Sequence, residues 1–248
     1  MTLICYGNTD GGVGGSRISI PHSESIGAGA KWHWPLDSAQ ESVVGGSPVD
    51  LTGTLALNPG GPGAEVGFFD SKRSTSVTTG TIGSAVQIQG AISIAMWIYR
   101  TGANTTNLSL CGARIAGAGL ANNIQWSLDY EASSEKVRWI HQHGSADATD
   151  IVVSPSVVAL NTWEHWCAVR NVAGTEVKLY KNGLLNATSG ALTRADGGTN
   201  ITDVSIMNNH STAEFQGMGR SAIVYDEELN AANVLALYES TSSTGTWA

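Results

Sequence analysis

Residues 163–183 read Trp163-Glu164-His165-Trp166-Cys167-Ala168-Val169-Arg170-Asn171-Val172-Ala173-Gly174-Thr175-Glu176-Val177-Lys178-Leu179-Tyr180-Lys181-Asn182-Gly183. Two runs of period-2 character, Trp163 to Arg170 and Glu176 to Tyr180, flank a short segment containing Asn171 and Gly174. Alternation at period 2 is the signature of a β-strand with two unlike faces. Lys181-Asn182-Gly183 then supplies a tight hairpin turn, because Asn-Gly accepts positive φ at both central positions. Cys167 lies inside the apolar run and reads as a small core residue.

Outward from this pair the same pattern recurs, with Gly, Asn, Asp and Ser clusters between the runs. Ala91 to Arg100 sets Ile92, Ile94, Met96 and Ile98 against Ser93, Ala95, Trp97 and Tyr99. Ile124 to Tyr130 alternates Ile124, Trp126, Leu128 and Tyr130 with polar residues. Lys136 to His143 puts Val137, Trp139, His141 and His143 on one face, and two further strands are expected near Asp203–Met207 and Arg220–Tyr225. One helix is expected near the C-terminus. Asp226 or a neighbour caps it, Glu227 and Glu228 occupy its first turn, and Leu229, Val234, Leu235 and Tyr238 face the core. Many strands and one short C-terminal helix give an all-β fold, a two-sheet antiparallel β-sandwich. Trp97, Trp163, Leu179, Ile223 and Tyr225 are expected on its buried strands.

The 248 residues suit one large sandwich, and the 42% apolar content suffices for a sizeable core. Only 14% are charged, so Thr, Ser, Asn and Gly must supply most of the polar surface. A net charge of -8 without basic runs speaks against nucleic acid or a membrane surface as partner. No apolar stretch approaches the roughly 18 residues that span a bilayer. The start, Met1 to Gly7, lacks the basic and long apolar segments of a signal peptide. Cys5, Cys111 and Cys167 have no zinc spacing, and their odd number argues against a disulfide-built domain.

Residues 1–30 differ from the rest. Glycine clusters at 11–15 and 27–29 bracket Arg17-Ile18-Ser19-Ile20, the pattern of an extended arm with one short strand. The arm is expected either to add to another subunit's sheet edge or to fold back on its own sandwich. Residues 31–240 form the sandwich in this reading, and residues 241–248 a short polar tail.

Four segments, in order, resemble the laminin-G-like jelly-roll domains of the concanavalin A-like lectin and glucanase group. They are Trp32 to Ser38, Ile92 to Ile98, the pair Trp163–Val169 and Val177–Gly183, and Phe215–Gly217 with Ile223–Leu229 and Leu237-Tyr238. Trp-x-His opening a strand and Tyr-x-Asn-Gly closing the next are the most specific features. The resemblance spans roughly Lys31 to Ser240 and implies a jelly roll. It also implies calcium as a possible cofactor, with Asp37 as the ligand best placed by family position. Where many relatives carry acidic residues, this chain has Met218-Gly219-Arg220-Ser221-Ala222, so no acidic metal site is carried over there.

Hydrolases of this wider group need two carboxylates at a set separation, often alternating on one strand. No Glu-x-Asp-x-x-Glu run occurs, and nucleophile-elbow, zinc-protease and phosphate-loop motifs are absent too. His141 and His143 lie two apart on one strand, so they can share an ion, or else simply pack on an open sheet face. With Trp139 beside them they form the expected ligand-binding group, an aromatic platform for a glycan, unless Trp139 merely covers the sheet. The sequons at Asn104, Asn107, Asn186, Asn200 and Asn209 read as polar loop chemistry. The expected function is a non-enzymatic structural or adhesion protein, homo-oligomeric or joined to other subunits, at a phage virion surface as head decoration or tail appendage. An exported carbohydrate-binding module is the alternative, with a glycoside hydrolase behind it.

Overall fold

A computed structural model describes residues 30–34, 36, 69–70, 79–81, 87–114, 124–142, 149–192, 203–208 and 215–242. The strands are β1 (Ala30–Trp34), β2 (Phe69–Asp70), β3 (Thr79–Thr81), β4 (Ile92–Arg100), β5 (Leu108–Arg114), β6 (Ile124–Glu131) and β7 (Lys136–Gln142), followed by β8 (Thr149–Val157), β9 (Trp163–Arg170), β10 (Val177–Lys181), β11 (Leu184–Thr188), β12 (Asp203–Asn208) and β13 (Gly217–Tyr225). One helix, α1 (Ala231–Ser242), follows. One sheet has the order β1-β13-β4-β9-β10-β11, with β2 also on β13, and the other β3-β12-β5-β6-β7-β8. The pairings within both are antiparallel. This is the two-sheet jelly-roll sandwich expected from the alternating runs.

The inner faces meet as the period-2 pattern requires. Ile92, Ile94, Met96 and Ile98 of β4 join Trp166 and Ala168 of β9 and Leu179 of β10, opposite Trp126, Leu128 and Tyr130 of β6 and Trp139 of β7. The seven-stranded sheet is covered on its other face as well. Ala95, Cys167, Val169, Tyr180, Ile223 and Tyr225 form a second cluster with Leu229, Val234 and Leu237. Burial on both faces explains why β13 is buried at every position despite its mixed residues.

Of the two tryptophans expected on buried strands, Trp97 is buried and Trp163 only partly so. Trp97 lies beneath α1, its indole Nε1 donating to Thr241 Oγ1 at 2.9 Å and its ring 5.5 Å from that of Tyr238. Trp163 is half-buried with its ring tilted against that of Tyr99, whereas Trp166, three residues on, is fully buried between the sheets. The helix also starts later than expected. Asn230 caps it, its Oδ1 accepting the Asn233 N–H at 2.9 Å, and its first turn holds no acid. Asp226 instead pairs with Lys31 at 2.8 Å. Val234, Leu237 and Thr241 are the buried positions, and Leu235 is exposed. The helix runs to Ser242, so the first two residues assigned to the tail belong to it. Residues 1–29 and 243–248 lie outside the described residues, and with them most of the expected arm.

The Asn182-Gly183 turn joins β10 to β11 as expected, with φ of 49° and 77°. Asn182 Oδ1 accepts the His165 N–H at 2.8 Å, and Asn182 N donates to His165 O at 2.7 Å, which locks the turn onto β9. At the far edge of the sandwich β8 meets β11. Ser154 Oγ donates to Asn186 Oδ1 at 2.6 Å, and Asn186 Nδ2 donates to Ser156 Oγ at 3.0 Å.

Candidate ligand cleft

Alternation along β10 sends Val177 and Leu179 into the inter-sheet core and leaves Lys178 and Tyr180 on the face toward α1. The turn before β10 is built by Asn171, whose Oδ1 accepts the N–H groups of Thr175 at 2.8 Å and Glu176 at 3.1 Å. Across from it, Glu228 Oε2 accepts the Val172 N–H at 2.9 Å, tying the approach to α1 to this turn. Between these parts lies a cleft of about 200 Å³ lined by Asn171, Glu176, Lys178, Tyr180, Glu228 and Asn230, among others.

Tyr180 is 4% exposed, yet its hydroxyl makes no hydrogen bond within the described residues. Burial above all, with the Glu176 and Glu228 carboxylates adding to it and Lys178 opposing, raises its pKa. The group therefore stays a protonated hydroxyl, able to donate and accept. Lys178 Nζ stands 2.9 Å from Glu176 Oε1, a contact that raises the lysine pKa and keeps it an ammonium. The cleft thus offers carboxylate acceptors, an ammonium donor, a phenol and two side-chain amides around one small volume, the kind of mixed set that matches a polyhydroxylated ring.

Of the ligand group expected from the sequence, Trp139 alone has a described side chain. Trp139 is fully buried in the inter-sheet core, with the Arg170 guanidinium 5.9 Å from its ring centroid, and so it is no open platform. The physical reason is parity. Trp139 shares the inward face of β7 with Val137, and Arg138 takes the opposite face. His141 pairs with Asp150 in the β7–β8 register. His143 and Asp37 lie outside the described residues. Among the described residues no three His, Cys, Asp or Glu side chains are gathered to hold a metal. Cys111 and Cys167 are buried free thiols, and burial pushes the Cys111 pKa up to about 12.

Sequence reasoning missed a second polar constellation, on the outer face of the six-stranded sheet. Asp129 and Glu131 alternate on β6, a short form of the acid pattern sought for hydrolases. Arg138 Nη1 donates to Glu131 Oε1 at 3.0 Å, and its Nη2 lies 3.5 Å from Asp129 Oδ2. Ser127 Oγ donates to Asp129, and Ser127 and Ser109 share a hydrogen bond. Gly112 makes room for this layer, since a Cβ there would meet both serine hydroxyls. Asp129 is fully buried and one guanidinium holds both carboxylates, while Arg138 Nε has no hydrogen-bond partner among the described residues.

The fold is a jelly roll of lectin-like type. A laminin G family model matches residues 70–235, and the chain belongs to the concanavalin A-like lectin/glucanases superfamily. Solved structures agree in fold. The binding domain of botulinum neurotoxin serotype G is 17% identical with a TM-score of 0.61, over 86% of this chain and 51% of that one. A structure of botulinum neurotoxin type C, whose cell entry depends on interaction with two ganglioside molecules, is 15% identical at 0.60, over 86% and 51%. Trypanosoma rangeli sialidase is 13% identical at 0.59, over 98% of this chain and 37% of that one. The chain therefore spans about half the length of the toxin chains it matches. No curated protein matches it in sequence.

Proposed function

We propose that this chain is a non-catalytic carbohydrate-recognition module. The observation that carries the reading is the cleft at β10 and α1, where a tyrosine hydroxyl that none of the described residues hydrogen-bonds opens on a ring of acceptors and donors. Its two carboxylates already have donor partners, Lys178 for Glu176 and the Val172 amide for Glu228, which suits binding better than acid–base chemistry. The ganglioside dependence of botulinum neurotoxin type C lends support from a protein of the same fold. On a glycan array the chain is expected to be retained on some glycans and to release no reducing sugar from polysaccharides. Sugar release that disappears on Glu176→Gln or Glu228→Gln would overturn the reading.

The module works, in this proposal, at the surface of a larger assembly, such as a phage head decoration or tail appendage. One observation favours that setting over an exported single module. Ile151, Val153, Val157, Leu160, Leu184 and Leu185 are all exposed, on β8, on β11 and just after β8, the kind of surface that neighbouring subunits cover. Native mass measurement on purified chain tests it: a closed oligomer is expected, and a monomer at all concentrations contradicts it.

A further inference from the structure

Taking the cleft as a glycan site, which rests on the function proposed above, we infer that it holds one neutral sugar residue through the Tyr180 hydroxyl and turns away acidic sugars. Size sets the first limit. At about 200 Å³ the cleft lies below the roughly 300–1,000 Å³ of pockets for drug-sized ligands, so it suits a single ring at the end of a glycan. The Tyr180 hydroxyl sets the second. It lies at the end of a side chain only 4% exposed as a whole, opens on the cleft, and is hydrogen-bonded by none of the described residues. A sugar hydroxyl, both donor and acceptor, can complete that bond in either direction.

Charge sets the third limit. Two carboxylates and one ammonium line the cleft, and the ammonium is already paired with Glu176 at 2.9 Å, so Glu228 leaves the site net negative. A sugar carboxylate entering here meets like charge. The N-terminus of α1 adds an opposing pull, about half a positive charge. It is outweighed, because Asn230 Oδ1 already takes one of the free amides of that end and a full carboxylate stands beside it. A neutral ring with vicinal hydroxyls meets no such penalty and can donate two hydrogen bonds to one carboxylate.

The test is a titration of the full chain, followed by ligand-observed NMR, with three probes: methyl galactoside, methyl N-acetylglucosaminide and N-acetylneuraminic acid. Binding of a neutral glycoside is expected, with the acidic probe weaker. Tyr180→Phe, which removes one oxygen and keeps the ring, should weaken that binding about fivefold, the usual effect of one hydrogen bond, with unchanged thermal unfolding. The Glu176→Gln/Glu228→Gln double variant should admit N-acetylneuraminic acid. If the chain binds a neutral glycoside but Tyr180→Phe leaves its affinity unchanged, or if the wild type takes the acidic probe as well as the neutral ones, this inference falls while the module reading stands. Binding to none of the probes, together with an array on which nothing is retained, overturns both.

Discussion

His165 sits beneath α1 at 1% exposure, its ring 5.2 Å from Trp97 and 5.9 Å from Tyr238, and its Nδ1 has no hydrogen-bond partner. Burial lowers its pKa from 6.5 to about 3. The unfolded chain therefore binds this proton near pH 6.5 and the folded chain only near pH 3, so the neutral ring's contribution is full above pH 6.5 and is lost as pH falls through that window. Thermal unfolding followed by circular dichroism should show a melting temperature that drops from pH 7 to pH 4. His165→Phe, which keeps a ring but cannot titrate, should flatten that slope, and an equal slope in both proteins contradicts the assignment. Trp139 makes a second prediction at this scale. Its truncation to alanine should cost about 3–5 kcal/mol through lost transfer energy and a cavity. Wild-type chemical denaturation of Trp139→Ala would contradict its place in the core. The sequence showed that Trp139 lies on a strand and not which side of the sheet is inside. Arg138, Ile140 and Trp139 are all nearly buried, so hydrophobicity alone does not separate the two faces of β7.

The β10–β11 hairpin and α1 depend on each other. A Cβ on Gly183 would stand 2.8 Å from Leu235 Cδ1 and 3.2 Å from Tyr238 Cδ1, and the residue has a φ of 77°. Gly183→Ala should therefore cost more than a surface change, about 1–2 kcal/mol from backbone strain, with further loss from displacing α1. Urea unfolding measures it, and a cost within ±0.5 kcal/mol would show that helix and turn do not touch as described. Asn182-Gly183 was legible because its chemistry is local: the dipeptide carries its own turn preference. The start of α1 was not, because Asp226, Glu227 and Glu228 look like a helix's first turn in sequence. Two of them are spent on distant partners, Asp226 on Lys31 and Glu228 on the Val172 amide, and Asn230 takes the cap. The same long-range logic decides between Trp163 and Trp166, which lie on opposite faces of β9 by parity, with only Trp166 turned toward the other sheet.

In the whole molecule, the order of the strand motifs was enough to identify a jelly roll, since each motif is contiguous and its period survives in the fold. The cleft was hidden for the opposite reason. Its walls come from Asn171 to Tyr180 and from Glu228 to Ala231, more than forty residues apart, and they meet only because Leu229, Val234 and Leu237 bring the C-terminal segment down on the outer face of β9 and β10. Tyr180 was in plain view as part of the Tyr-x-Asn-Gly ending of a strand, and it read as architecture. The ligand role proposed for it rests on its unfilled hydroxyl, which no sequence pattern reports. The most direct test of the central claim, that this covered face carries the sugar site, is mapping of amide chemical-shift changes in the full chain during titration with a neutral methyl glycoside. The account predicts changes concentrated at residues 169–180 and 228–231. Changes centred instead on the Ser127–Asp129–Arg138 face of the six-stranded sheet, or on β8, would contradict it.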